Sequence, residues 1–180
     1  MSGDLIASLL AIHQLFEVER VPHALCGGLA ANLYRDEVRA TSDVDLAIIL
    51  ESAKLAMVVE ALAEQGWRSE PYWKHGNQLR LSRDGFARVD CIIAGTDLER
   101  SAIMRAAIAG IDGNEVPVLT PEDLITLKLI AGRARDIEAV AAILVARGDT
   151  LDVDYIHGWL EQFDATAAWD RAVADADRER

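Results

Sequence analysis

The sequence predicts an α+β fold with an α/β-type core, followed by a helical C-terminal part. Three observations predict it. Over the first 120 residues, blocks with helical spacing of apolar residues are interleaved with short β-forming runs. Asp84-Gly85 is a turn signal between two alternating stretches, the signature of a hairpin. Beyond Thr120 only helical periods remain, which divides the chain into a core at 1–120 and a helical subdomain at 121–180.

In chain order, Leu5, Ile6, Leu9, Leu10, Ile12, Leu15 and Phe16 set a helical period over residues 4–19. His13 lies within it and reads as a surface or packed histidine rather than a ligand. Pro22 ends this helix, and His23–Cys26 is a short strand running into Gly27-Gly28. Residues 29–34 read as a helix starting right after the glycines, 35–42 as a polar connection, and 43–50 as a strand. Ser52 is placed to cap a helix that runs to about Gln65 and stops at Gly66. Residues 67–77 have no period and read as irregular, with Trp67, Tyr72, Trp73, Lys74 and His75 among them. Residues 78–82 and 86–93 are the hairpin arms. Residues 97–109 read as a helix and 116–119 as a short edge strand. Thr120-Pro121-Glu122-Asp123 starts a helix, with the cap at Thr120, proline at the first helical position and acids in the first turn. It runs to Ala131 and breaks at Gly132. Helices over 134–146, 154–163 and 165–174 complete the chain.

Composition narrows the function. The net charge of −12 and pI near 4.7 argue against broad non-specific nucleic-acid binding, which depends on clustered Lys and Arg. From Asp149 onward nine acids face three arginines, half of that excess, so a phosphate-binding face earlier in the chain stays possible. Cys26 and Cys91 sit in apolar runs and read as buried thiols in a reducing compartment. No C-x-x-C or cysteine–histidine cluster is present, so the sequence gives no expectation of zinc. The start of the chain lacks a basic stretch followed by an apolar one. No run approaches the ~18 apolar residues of a membrane span. The expectation is a cytoplasmic protein with no membrane partner.

The chemistry centres on D-V-D-L-A-I-I-L. Strand alternation puts Asp43 and Asp45 on one face and Val44, Leu46 and Ile48 on the other. Neighbouring carboxylates repel and resist burial unless a cation lies between them. A hard divalent ion with oxygen ligands removes the conflict. Asp90 is a third acid, inside V-D-C-I-I where a strand should be buried, and is either the ion-pair partner of Arg88 or a third metal-binding carboxylate. Three converging strand acids suit a two-metal site acting on a phosphoryl group.

Gly27 and Gly28, between a strand and a helix start, either make a tight turn at positive φ or let a phosphate reach the backbone. G-x-G-x-x-G and G-K-[ST] are both absent. Lys128 emerges beside Leu124, Ile125 and Ala131, so it snorkels to water or meets an anion. Arg133, Arg135 and Asp136 form a charged cluster in which Asp136 caps or pairs with an arginine. Arg39, Thr41 and Ser42 precede the acids as candidate contacts to phosphate or acceptor. Trp67, Tyr72 and Trp73 either stack on a base or form small satellite cores.

The order G-G, short helix, D-x-D in a strand and a third Asp in a later strand resembles the nucleotidyltransferase superfamily that includes DNA polymerase β. The helix between Gly28 and Asp43 carries a gap at the long end for that pattern. A second match, T-P-E-D-L-I-T-L-K-L-I-A-G-R-A-R-D-I-E from Thr120, resembles minimal nucleotidyltransferases, including abortive-infection (AbiEii-like) toxins of type IV toxin–antitoxin systems. Together the resemblances cover most of residues 20–147; the last thirty residues carry no motif.

They imply a mixed nucleotidyltransferase-type sheet flanked by helices, two Mg²⁺ ions on Asp43, Asp45 and Asp90, and an NTP such as ATP. They also imply transfer of an NMP group to a hydroxyl, with release of pyrophosphate. Gly27, Gly28, Thr41, Ser42, Lys128 and Arg133 are the nucleotide-binding candidates. The acceptor stays open: tRNA or protein for a toxin held by an antitoxin, or an aminoglycoside-type antibiotic. A non-catalytic module that binds a nucleotide or a partner is the further alternative. A local patch of Arg35, Arg39, Arg133 and Arg135 would serve a tRNA acceptor.

Overall fold

A computed structural model describes residues 4–72 and 77–179. The chain divides into two compact units: residues up to Leu29 with Ala40–Leu119, and Ala30–Arg39 with everything from Thr120 onward.

The first unit opens with α1 (Leu5–Val18), capped by the Asp4 carboxylate, which accepts from the Ile6 and Ala7 amides at 2.9 and 3.1 Å. Its buried face is Leu9, Ile12, His13, Leu15 and Phe16. Arg20 turns left-handed at φ 53°, and the Val21 amide closes the helix end on the Phe16 carbonyl at 2.8 Å. That turn feeds β1 (His23–Cys26), buried along its whole length. The short α2 (Gly27–Asn32) begins in this unit and ends in the second. It starts on the glycines themselves rather than after them.

Next come β2 (Asp43–Ile48), α3 (Ser52–Glu64), β3 (Arg68–Tyr72), β4 (Gln78–Ser82), β5 (Arg88–Ile93), α4 (Asp97–Met104), β6 (Ala107–Ile111) and β7 (Asn114–Val118). The seven strands form one mixed sheet in the order β3-β4-β5-β2-β1-β7-β6. The core between sheet and helices holds Phe16, Leu25, Leu46, Ile48, Leu62, Leu81 and Leu98, each almost wholly excluded from water. The mixed sheet with flanking helices is the predicted fold class.

Four local expectations need correction. Ser52 does not cap α3; it is the first helical residue, and the cap position is Glu51, with no side-chain bond. Residues 68–72, read as irregular, form β3, and its proline is tolerated because β3 is an edge strand. The helix expected over 97–109 stops at Met104, and Ala107–Ile111 is β6. As a result β7 is not an edge strand, because β6 flanks it.

In the second unit, α5 (Pro121–Ala131), α6 (Ala134–Arg147), α7 (Val153–Gln162) and α8 (Thr166–Glu179) pack on one another, with a 3₁₀ turn at Gly148–Thr150. α5 begins on the Thr120 cap with Pro121 in its first turn and ends at Gly132, whose φ of 64° suits only glycine well. Ala168, Ala172 and Ala176 are the buried face of α8, and such small side chains let α6 and α8 approach closely. Among the described residues no helix is long and apolar enough to cross a membrane.

Candidate active site

β2 and β5 are parallel neighbours whose register sets Asp45 beside Asp90 and Asp43 beside Arg88. Both acids of β2 are half-buried while Val44 and Leu46 are fully buried, as alternation requires. On the other side of β5, antiparallel β4 sets Arg80 beside Asp90. The Arg88 guanidinium bonds the Asp43 carboxylate and also reaches Asp90, with Nε 3.2 Å from Oδ2. Arg80 Nε donates to Asp90 Oδ1 at 2.9 Å. Two arginines and the acids therefore share one face across β4, β5 and β2, with only 15% of the Asp90 side chain exposed.

β1 ends beside this face, because Cys26 pairs with Asp45 in the β1–β2 register. The next residue, Gly27, has φ +65°, and a Cβ there would lie 1.9 Å from Asp45 Oδ2. Gly27 is thus required both by its backbone and by the carboxylate against it. A Cβ on Gly28 would lie 3.1 Å from Thr41 Oγ1. Thr41 in turn donates to the Asp43 carbonyl at 3.3 Å, with the Asp43 carboxylate at 3.4 Å. Ser42 is exposed. Behind the face, burial and the charges of Asp90 and Asp45 push the Cys91 thiol far up, so it stays protonated and is no nucleophile.

Carboxylate oxygens from neighbouring strands on one face, with bare backbone at Gly27 beside them, are the donor type that a hard divalent cation takes. Arg80 and Arg88 supply the positive charge in the structure described.

No protein-family model matches the sequence, and no curated protein does. Solved structures do match. The solution structure of the antibiotic-resistance factor ANT(2'')-Ia superposes with a TM-score of 0.61 at 16% identity, covering 97% of each chain. A crystal structure of ANT(2'')-Ia in complex with adenylyl-2''-tobramycin gives 0.57 at 18% identity, over 90% of this chain and 96% of that one. The lincosamide antibiotic adenylyltransferase LnuA, lincomycin-bound, gives 0.55 at 17% identity, over 76% of this chain and 94% of that one. This chain has the nucleotidyltransferase fold.

Within this nucleotidyltransferase fold, the predicted acids stand together on β2 and β5, and the glycine pair joins β1 to α2. The predicted cations Lys128 and Arg133 belong to the second unit. There Lys128 Nζ lies 3.5 Å from Asp136 Oδ1, Arg133 bonds the other carboxylate oxygen, and Asp136 is buried. Asp136 is therefore an ion-pair partner of Arg133, one of the two roles its place in the cluster left open. Arg39 pairs with Glu138 at 3.0 Å, which partly neutralises the basic patch. Arg35 bonds Asn32 Oδ1 at 2.8 Å, and burial together with neighbouring Arg39 lowers its guanidinium pKa.

Trp67 is a satellite core residue: it is buried, packs on Phe86 at 5.3 Å between centroids, and Arg83 lies 4.5 Å from the Phe86 ring. Trp73, Lys74 and His75, and the Tyr72 side chain, lie outside the described residues. Sequence reasoning passed over Arg80 and the Arg88–Asp43 bond. The hairpin pairing around Asp84-Gly85 was the available signal, since counting back from the turn sets Arg80 opposite Asp90.

Proposed function

We propose that this chain is a divalent-metal-dependent nucleotidyltransferase, moving an NMP group from an NTP to a hydroxyl acceptor with release of pyrophosphate. The observation that carries the reading is the β2–β5 register, which brings Asp45 and Asp90 side by side with Asp43 on the same face. Asp43, Asp45 and Asp90 would hold the metal, two Mg²⁺ ions in our reading. A divalent ion bound there supplies charge neutralisation on the triphosphate and polarises its α-phosphate. Asp90 is the carboxylate assigned to take the proton of the acceptor hydroxyl. The backbone at Gly27 and Gly28 gives phosphate oxygens access to N–H groups, and Thr41 and Ser42 border the same acids. The protein's contribution is then in-line positioning and charge rather than covalent catalysis.

For the acceptor we favour a small hydroxyl-bearing antibiotic. The fold likeness to ANT(2'')-Ia and to LnuA supports this, and the net charge of −12 suits a cationic acceptor better than a polyanion. A second reading, a toxin acting on tRNA or protein and held by an antitoxin, rests on the segment from Thr120.

The test is incubation with Mg²⁺, each α-labelled NTP, and either an aminoglycoside–lincosamide panel or cell lysate. Label should move to a small molecule with matching pyrophosphate. Asp43→Asn and Asp45→Asn should each lose about 100-fold or more in rate with unchanged circular dichroism. Full turnover in those variants would remove the assignment. Binding of NTP without pyrophosphate release would leave a non-catalytic module. Labelled tRNA, with growth arrest relieved by a neighbouring gene product, would favour the toxin.

A further inference from the structure

The opposite end of the same strands carries a second cluster of metal-ligating side chains. β1 and β2 run antiparallel, so Cys26 lies beside Asp45 whereas His23 lies beside Ile48, about 10 Å further along at ~3.4 Å per residue. His13 and Glu17 are one helical turn apart on α1 and share a face. The left-handed turn at Arg20 and Pro22 then bring His23 back against them, with His13 Nδ1 2.8 Å from His23 Nε2. One ligand atom from each of His13, Glu17 and His23 lies within 4.8 Å of the other two. Both imidazoles are buried and Glu17 is exposed, so an ion would enter past the carboxylate.

Hydrogen bonding fixes the ring protons. His23 Nδ1 stands 2.8 Å from the Val21 carbonyl oxygen, which can only accept, so Nδ1 carries the hydrogen. Its Nε2 is then a lone pair, and His13 Nδ1 donates to it. A ring N–H anchored on a backbone carbonyl, with the other nitrogen presented to further ligands, is how metal-binding histidines are oriented.

We propose that His13, Glu17 and His23 form a binding site for a borderline transition-metal dication, Zn²⁺ foremost, separate from the acid face on β2 and β5. Zn²⁺ takes imidazole nitrogens at about 2.0–2.1 Å, which places two tetrahedral nitrogens roughly 3.3 Å apart. The two rings therefore have to separate by about half an ångström from their hydrogen-bonded distance. On binding, the His13 hydrogen moves from Nδ1 to Nε2, the ring stays neutral, and Nδ1 and His23 Nε2 ligate the ion beside the ionised Glu17. A fourth position is left for water. Mg²⁺ prefers oxygen donors and is not favoured here. Such an ion would tie α1 to β1.

The test uses the full chain, stripped with a chelator and titrated with ZnCl₂ or MgCl₂ by calorimetry, with thermal unfolding in parallel. Zinc should bind one to one and raise Tm by about 5–10 °C at free zinc 100-fold above Kd, with no comparable effect of magnesium. Glu17→Gln should weaken zinc by about 10-fold or more, His13→Gln should abolish binding, and Asp43→Asn should leave it intact. Glu17 is exposed, so its variant stays readable even where the histidine variant loses stability. Zinc binding no stronger than magnesium, or unchanged in Glu17→Gln, or lost in Asp43→Asn, would overturn the assignment.

Discussion

His23 is a titratable group that the fold biases toward its neutral form. Burial lowers its pKa from the ordinary 6.5, and the Coulomb effect of His13 works in the same direction. The Val21 carbonyl bond and Glu17 oppose them. Below pH 6.5 the unfolded chain binds a proton at this ring that the folded chain resists, so stability falls as pH drops. Above that value the contribution is fully present. In chelated buffer, Tm should hold level between about pH 7 and 8 and decline from about 6.5 downward, with a flatter profile in His23→Gln. An unchanged slope in that variant would place the acid sensitivity elsewhere. Asp43, Asp45 and Asp90 were legible because strand alternation and an acid in a β-forming run are both local signals. The histidine pair was not: nothing in the residues around His13 indicates that β1 returns beside it, since that closure is made by the turn at Arg20.

At the scale of elements, the start of α5 shows why some boundaries could be read directly. Thr120 caps through the Asp123 amide at 3.2 Å, and its hydroxyl donates to the Asp123 carboxylate at 2.9 Å. Cap, proline and acids are adjacent residues, so this helix start is written in a few letters. What the letters do not show is that Asp123 is fully buried and also accepts from the Tyr155 hydroxyl of α7 at 2.5 Å. Tyr155→Phe removes one donor from a buried carboxylate and should cost about 1–3 kcal/mol, read as a shift of the urea midpoint at constant slope. The two strands that were missed failed for opposite reasons. β3 carries Arg68, Glu70 and Pro71 and lacks alternation, yet it pairs along β4 as an edge strand. β6 is alanine-rich and continues the helical composition of α4, so composition favoured a helix where pairing with β7 wins.

For the whole molecule, sheet order was the least legible property. The parallel β2–β5 contact joins residues more than forty positions apart, and no local pattern specifies it. The two outer strands of the sheet also differ in a way that carries a consequence. The β3 border has charges and a proline in its sequence, while Ala107–Ile111 has neither, and Ile108 is 61% exposed. Among the described residues β6 is the last strand of the sheet, and such an apolar edge is a template on which another strand can add. At high concentration the protein should therefore self-associate along that seam, seen as growing species in sedimentation velocity. Ile108→Lys should disperse them, and if it leaves the distribution unchanged the contact lies on another surface.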